Sequence, residues 1–371
     1  MNVIGACQVD RIDATQQLLE RGDEILSING HHVGDILAKV EEHLSIDGWT
    51  DHAKRIELES SSELLGDAVD HFWPMLYDWP AKWQVETRSV KGGSVKNVKF
   101  EPVTYKIWLK LATEGQRYID FGSETVRFKT LDDKTAYLAV ETFVNYRNPV
   151  NPAKIFSPHF EEMRSRGIEH LILDMRRCGG GSDEVPARLA EFLATRPIEV
   201  TRRPSWVRRF RFDENLRKHI STWDQGVWNL PEKLFTELDN GFFEFRPPGF
   251  VDSYIIEPLP NHFQGRVPIL CSGHNSSGAT NFIGLIRDKR QNTRVIGEPT
   301  AGTAEGTTAG LIFFLKLPNS GITVRIPVLR NFNDIEDFEP GLGVRPDVEI
   351  IETVDDFLKQ RDSALQTALR E

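Results

Sequence analysis

HLILDMRRCGGGSDEV, residues 170–185, runs a nearly all-apolar stretch into three consecutive glycines and then into the acidic start of an amphipathic segment. A short continuous apolar run of this kind reads as a strand buried on both faces, as in a sheet covered by helices. Val185, Leu189, Phe192 and Leu193 then fall on one stripe, which predicts a helix over residues 184–194. Between the two elements, Gly179, Gly180 and Gly181 allow a sharp turn that brings backbone N–H groups close to a guest, and a helix N-terminus favours negative charge there. The loop has neither the Gly-Lys-Ser/Thr of a P-loop nor a GxGxxG fingerprint. An oxyanion site of backbone N–H groups, a phosphate cradle and a purely structural turn all stay open on this segment alone.

Outward from this stretch the pattern alternates between strand and helix. TAYLAVETF (135–143), VPILCS (267–272) and TRVIGE (293–298) read as strands, with helices predicted over residues 152–167 and 279–289. GLIFFLKL (310–317) and GITVRIPVL (321–329) read as two more strands of the same α/β order. Residues 200–262 break that order with Arg202, Arg203, Trp206, Trp223, Trp228 and several Pro and Gly, so they are expected to form an inserted arm. VPILCSGHNSSGATNFIGLIRD (267–288) repeats the strand–turn–helix design. Ser276 or Ser277 at that turn would project a hydroxyl from a helix N-terminus, either as a nucleophile or as an ordinary N-cap. Asp288 lies eleven residues after Ser277, on nearly the same helical face. RVIGEPTAGTAEG (294–306) ends a third strand in a Gly- and Pro-rich loop. Three such loops at strand ends are expected to gather on one edge of a sheet, where sites in α/β folds lie.

Toward the N-terminus, residues 2–9 read as a strand, 14–21 as a helix and 24–28 as a strand closed by the Asn29–Gly30 turn. RGDEILSINGHHVGDIL (21–37) resembles the segment of PDZ domains in which a Gly-Asp pair precedes a buried strand. That resemblance implies a module able to add an extended peptide to a sheet edge. A helix is predicted over 36–44, and HFWPMLYDWPAKW (71–83) reads as an aromatic core or interface cluster, with a substrate-facing wall as the other reading. Strands are expected over 83–90, 95–102 and 103–111, and a domain boundary within 112–130.

The 371 residues suffice for two domains, and 22 Phe with 8 Trp supply core material. A net charge of −10 provides no basic field for a nucleic-acid backbone. No run reaches the roughly 18–20 apolar residues of a membrane span, and the opening residues carry no export signal. Cys7, Cys178 and Cys271 are odd in number and far apart, which argues against a disulfide framework and a structural zinc site, and no HExxH signature occurs. No metal or organic cofactor is expected.

Taken in order, LDMRRCGGG, NSSGATNFIGLIRD, VIGEPTAGT and GLGVRPDVEI (341–350) resemble serine peptidases of the C-terminal-processing (tail-specific) and tricorn-core family over nearly the whole chain. The resemblance implies a crotonase-like α/β core of β-β-α units over 113–371, preceded by a mainly-β PDZ-like domain over 1–112 with a helical and aromatic insertion at about 36–83. It also implies hydrolysis of peptide bonds in a peptide or protein substrate, and an envelope or extracellular location. Residue by residue, Ser277 matches the nucleophile, and Gly278 with Gly179 or Gly180 the oxyanion hole. Asp288 matches an acidic residue of the tail-specific branch, expected to be mainly structural, and Glu339 the glutamate of the tricorn-type tetrad.

The chain departs from the family at the base. Where the tail-specific branch has a lysine, three residues after the threonine of the GEPT-like turn, this chain has Thr303. The tricorn-type branch uses a histidine, usually upstream of the PDZ-like module, which would here lie before Met1. Within the chain, His274 is the nearest candidate and His71 the next, while His31 and His32 read as solvated or structural. The leading expectation is therefore a serine peptidase. A catalytically silent peptide-binding relative and, more remotely, a crotonase-type acyl-thioester enzyme are the alternatives.

Overall fold

A computed structural model of the chain describes residue 19 and residues 22–59, 68–90, 93–101, 104, 106 and 120–371. The elements expected over residues 2–9 and 14–21 and most of 103–111 lie outside the described residues. The chain forms two compact units. One gathers the described parts of Met1–Ile46, Asp51–Ile119 and Glu349–Glu371, the other Asp47–Thr50 and Asp120–Val348.

The first unit is built on an antiparallel sheet of β1 (Glu24–Ile28), β2 (His31–His32), β3 (Trp83–Arg88) and β4 (Val95–Phe100), in the order β2-β1-β3-β4. Asn29 and Gly30 both take positive φ, +50° and +82°, which reverses the chain between β1 and β2 with the twist a tight hairpin needs. The next helix, Val33–Glu41, begins and ends earlier than expected. It buries Val33, Ile36, Leu37 and Val40, one face at helical spacing. Against it packs the helix Ala68–Leu76, whose Trp73 is 1% exposed and lies 4.9 Å from Trp83 and 4.7 Å from Tyr77 between ring centroids. The aromatic stretch is thus mainly core, apart from the exposed Trp79. Residues 349–371, expected with the peptidase-like core, cluster instead with this unit. The physical trace of this is tight packing, since a Cβ added at Gly22 would lie 2.4 Å from Leu358 Cδ2.

In the second unit the strands in chain order are β5 (Val126–Thr130), β6 (Thr135–Val140), β7 (His170–Asp174), β8 (Ile198–Thr201), β9 (Ser205–Val207), β10 (Ile220–Ser221), β11 (Phe235–Glu237), β12 (Phe243–Phe245), β13 (Ser253–Ile256), β14 (Val267–Cys271), β15 (Thr293–Gly297), β16 (Ile312–Lys316), β17 (Thr323–Pro327) and β18 (Val348–Glu349). A mixed six-stranded sheet runs β18-β15-β14-β7-β6-β5. β6, β7, β14 and β15 are parallel, and β5 pairs antiparallel with β6. Every residue of β7 and β14 is buried, as their uninterrupted apolar runs require. Three helices, Pro152–Arg166, Glu184–Leu193 and Ser277–Lys289, complete this core, with Phe160 stacked on Phe192 at 4.6 Å.

The arm departs from expectation in one respect. β16 and β17 do not extend the central sheet but form a hairpin whose β16 pairs with β10 of the arm. The reason is packing on the arm, where buried Phe313 of β16 meets Val227 and Leu311 and draws in Phe212 and Trp228. The rest of the arm is the pair β8–β13 and the antiparallel sheet β11-β12-β9.

Candidate active site

Four parallel strands end on the same edge of the central sheet, so the segments that follow β6, β7, β14 and β15 converge there. At the end of β7, Asp174 accepts the Tyr137 hydroxyl at 2.7 Å and the Arg176 guanidinium at 2.6 Å. Burial works against its charged form, but the Arg176 hydrogen bonds and charge, joined by the Tyr137 hydroxyl, outweigh it and hold the carboxyl below its ordinary range.

The glycine loop follows. Gly180 and Gly181 take φ of +103° and +145°, and a Cβ at Gly181 would lie 2.2 Å from the Phe143 carbonyl carbon. Phe143 donates to Gly180 O at 3.0 Å, and Ser182 donates to Phe143 O at 2.8 Å. A Cβ at Gly180 would lie 3.0 Å from Gly278 N and 3.1 Å from Ser277 Cβ, so only glycine fits this close against the next loop. Cys178, fully buried beneath, has its thiol pushed up to about 12 by burial, while the Gly180 and Phe143 amides pull the other way by hydrogen-bonding to it. Gly180 is buried, whereas Gly179 is exposed.

Ser276 is extended (φ −139°, ψ 173°) and Ser277 takes φ +49°, after which the helix Ser277–Lys289 begins. A left-handed non-glycine residue between a strand and a helix is strained, by on the order of 1–3 kcal/mol, and makes a sharp elbow. Ser276 is the N-cap residue, but its side chain makes no capping bond; its hydroxyl donates to Gly179 O at 2.8 Å. Among the described residues no hydrogen bond engages the Ser277 hydroxyl. The first helical donors to find an acceptor are Ala279 and Thr280, on Ser276 O, so the Gly278 N–H is left at the helix mouth.

Asn275, which local sequence reading misses, ties these loops together. It is completely buried, and its amide nitrogen donates to Met175 O (2.6 Å) and Cys178 O (2.9 Å) while its amide oxygen accepts from Ser272 N (2.8 Å). Its carbonyl accepts Ala301 N (2.8 Å), Gly302 N (3.0 Å) and Thr280 Oγ1 (3.1 Å). Gly302 is thereby pressed onto the elbow, where a Cβ would lie 3.0 Å from Ser277 N.

Thr303 is buried and its hydroxyl donates to Gly306 O at 2.5 Å. Asp288 lies about 16 Å along the helix axis from Ser277 and pins structure, accepting Arg287 Nε and Glu336 N, each at 2.8 Å. Glu339 is exposed; its carbonyl accepts Leu342 N at 3.0 Å, just before Leu342 and Val344 zip onto Ala304 and Thr300. His274 is exposed at the surface, yet partial burial of its ring and the charge of Arg177 lower its pKa against an opposing Glu298. No imidazole hydrogen-bonds Ser277 among the described residues. His71 belongs to the first unit, where its ring meets Phe72 edge-on at 4.9 Å. Among the described residues no group of three or more His, Cys, Asp or Glu is placed to hold a metal, and no helix is long and apolar enough to cross a membrane.

No curated protein matches the chain. Among solved structures it resembles mature CPAF complexed with lactacystin, at 16% identity over 95% of this chain and 77% of that one, with a TM-score of 0.56. It also matches a putative peptidase from Parabacteroides merdae (21% identity, 66% of this chain, TM-score 0.45), of whose length it spans 64%, under two thirds. A photosystem II D1 C-terminal processing protease matches at 15% identity over 89% of this chain and 63% of that one, with a TM-score of 0.37. At 16% identity the likeness to CPAF is one of fold. The model of peptidase family S41 matches residues 134–350, more than half of the chain, with the glycine loop, the Ser277 elbow and the Gly302 loop all inside it: the chain belongs to peptidase family S41.

Proposed function

We propose that this chain is a serine-type peptidase that cleaves peptide bonds in extended or C-terminal segments of proteins through an acyl-enzyme on Ser277. The observation that carries the reading is the elbow itself: a strained serine with an unengaged hydroxyl, followed by a helix-mouth N–H and faced by a glycine loop. In this mechanism the Ser277 hydroxyl attacks the scissile carbonyl, and its proton passes to a base. The oxyanion is held by the N–H groups of Gly278 and of Gly179 or Gly180. Collapse of the intermediate expels the amine, and water then hydrolyses the ester. The core fits the crotonase-like type and the antiparallel unit the PDZ-like type, with an envelope or extracellular setting.

His274 is the base candidate three residues from Ser277, and its lowered pKa leaves it neutral at pH 7, able to accept a proton. A second reading, a silent peptide-binding relative, is favoured by Thr303, whose hydroxyl is committed to Gly306 O where the tail-specific branch carries lysine. A fluorophosphonate probe followed by intact mass separates the two readings. Rapid single labelling, abolished by Ser277→Ala, is the expected result; a folded chain that never labels sinks the peptidase reading for this chain. If His274 is the base, labelling stays on its plateau to below the usual histidine range as pH falls, and His274→Ala abolishes it.

A further inference from the structure

Residues 196–218, which lead into and open the arm, carry eight basic and three acidic side chains, in a chain whose net charge is −10. The structure organises part of this charge. Trp206, on β9, meets the Phe332 ring edge-on at 4.9 Å and the Phe242 ring at 5.7 Å. The Arg203 guanidinium lies 4.2 Å over Phe332 and that of Arg208 4.2 Å over Phe242, so the two cations close the ends of a three-ring strip. Both arginines are exposed, and neither has a carboxylate partner among the described residues; Arg208 adds only a bond to Gly241 O at 3.4 Å. Glu244, opposite Trp206 on the same sheet face, is paired with Arg246 at 3.8 Å. A guanidinium resting on a ring keeps its N–H edge free for bidentate contact with a carboxylate.

The strip is continuous with the candidate site. Trp206 and Arg330 exchange both backbone hydrogen bonds at 2.9 Å, and Arg330 Nη1 donates to Gly306 O at 2.9 Å. The same oxygen accepts the Thr303 hydroxyl, next to the Gly302 that packs on Ser277. Arg203 and Arg208 lie five positions apart in sequence with β9 between them, a span of at most roughly 16 Å.

We propose that this strip docks an acidic stretch of the polypeptide substrate, with Arg203 and Arg208 each gripping a carboxylate and the rings supporting the chain between them. The proposal rests on the peptidase reading for calling that polypeptide a substrate. It is tested on the full chain carrying Ser277→Ala, by fluorescence polarisation of a labelled extended peptide with two glutamates five residues apart and of its glutamine counterpart. The glutamate peptide is expected to bind roughly tenfold tighter or better, with the advantage shrinking as salt rises and vanishing in Arg203→Gln/Arg208→Gln. Equal binding of the two peptides by the unsubstituted strip, which needs no variant to fold, overturns the proposal. So does a preference that survives the double substitution, or capture by phosphatidylserine vesicles without any preference for the glutamate peptide. Fluorophosphonate labelling of the chain with Ser277 intact is read separately. Labelling without a glutamate preference overturns the strip alone, whereas a preference without labelling upholds the strip as a docking surface and removes the peptidase reading.

Discussion

Asn275 uses both N–H donors and its carbonyl oxygen in three side-chain hydrogen bonds from three directions, and its partners Met175 and Cys178 lie 100 and 97 residues away in sequence. Asn275→Ala leaves the Cys178 carbonyl and the Ser272 N–H without partners and the Met175 carbonyl with Cys178 N alone, so a loss of about 2–4 kcal/mol is expected, read by urea denaturation. Labelling of Ser277 should slow in the fraction that stays folded, because the glycine loop and the Gly302 loop lose their common anchor. Gly180→Ala tests the opposite balance, a small fold cost against a large site cost. A Cβ at φ +103°, 3.0 Å from Gly278 N, should cost about 1–3 kcal/mol while reducing labelling on the order of 10²-fold or more. Ser276 and Ser277 are both legible in the sequence as elbow candidates. The bond that separates them, from Ser276 to Gly179 O, spans 97 residues and leaves no local signature. Asn275 is hidden for the same reason, since its neighbours are set by the sheet rather than by its own turn.

Strand order explains which elements a local reading catches. β14 is apolar throughout and β7 is apolar between its terminal His170 and Asp174, both being buried along their whole length, and such runs stand out. β16 and β17 carry equally strong strand signals, yet the pairing of β16 with β10 is fixed by packing across the arm, which no window of sequence contains. At this scale the Tyr137–Asp174–Arg176 group joins β6 to β7 just behind the glycine loop. Its carboxyl titrates below the ordinary value of 3.8, so as pH falls the unfolded chain takes up a proton before the folded one does. The stabilisation is full above about pH 4 and is lost as the pH drops through the lowered folded value. Asp174→Asn should therefore cost about 1–3 kcal/mol at pH 7, with a gap to the unsubstituted chain that closes as the pH falls below the ordinary carboxylate value and through the lowered folded one. Urea midpoints across that range provide the check, and a gap independent of pH would show that the carboxylate charge contributes nothing.

Each unit has its own buried cluster, around Trp73, Ile36 and Val40 in the first and around Phe156, Phe192 and Ile269 in the second. A chain with two such cores need not unfold in one step. The first cluster is the smaller, and it depends on Trp73, whose ring touches Tyr77 and Trp83 and whose indole N–H donates to Asp78 O at 3.3 Å. Trp73→Ala opens a cavity worth about 3–5 kcal/mol there and touches nothing in the other cluster. Scanning calorimetry of the unsubstituted chain should accordingly show two heat-absorption transitions, and the substitution should lower only one of them. Phe192→Ala should lower the other, because that ring stacks on Phe160 beneath the Glu184–Leu193 helix. Ser277 labelling, measured at a temperature between the two midpoints of the Trp73→Ala chain, should persist, since every residue of the elbow and its supporting loops belongs to the second unit. A single transition with equal calorimetric and van't Hoff enthalpies, shifted alike by both substitutions, would mean that the two cores fold as one cooperative body.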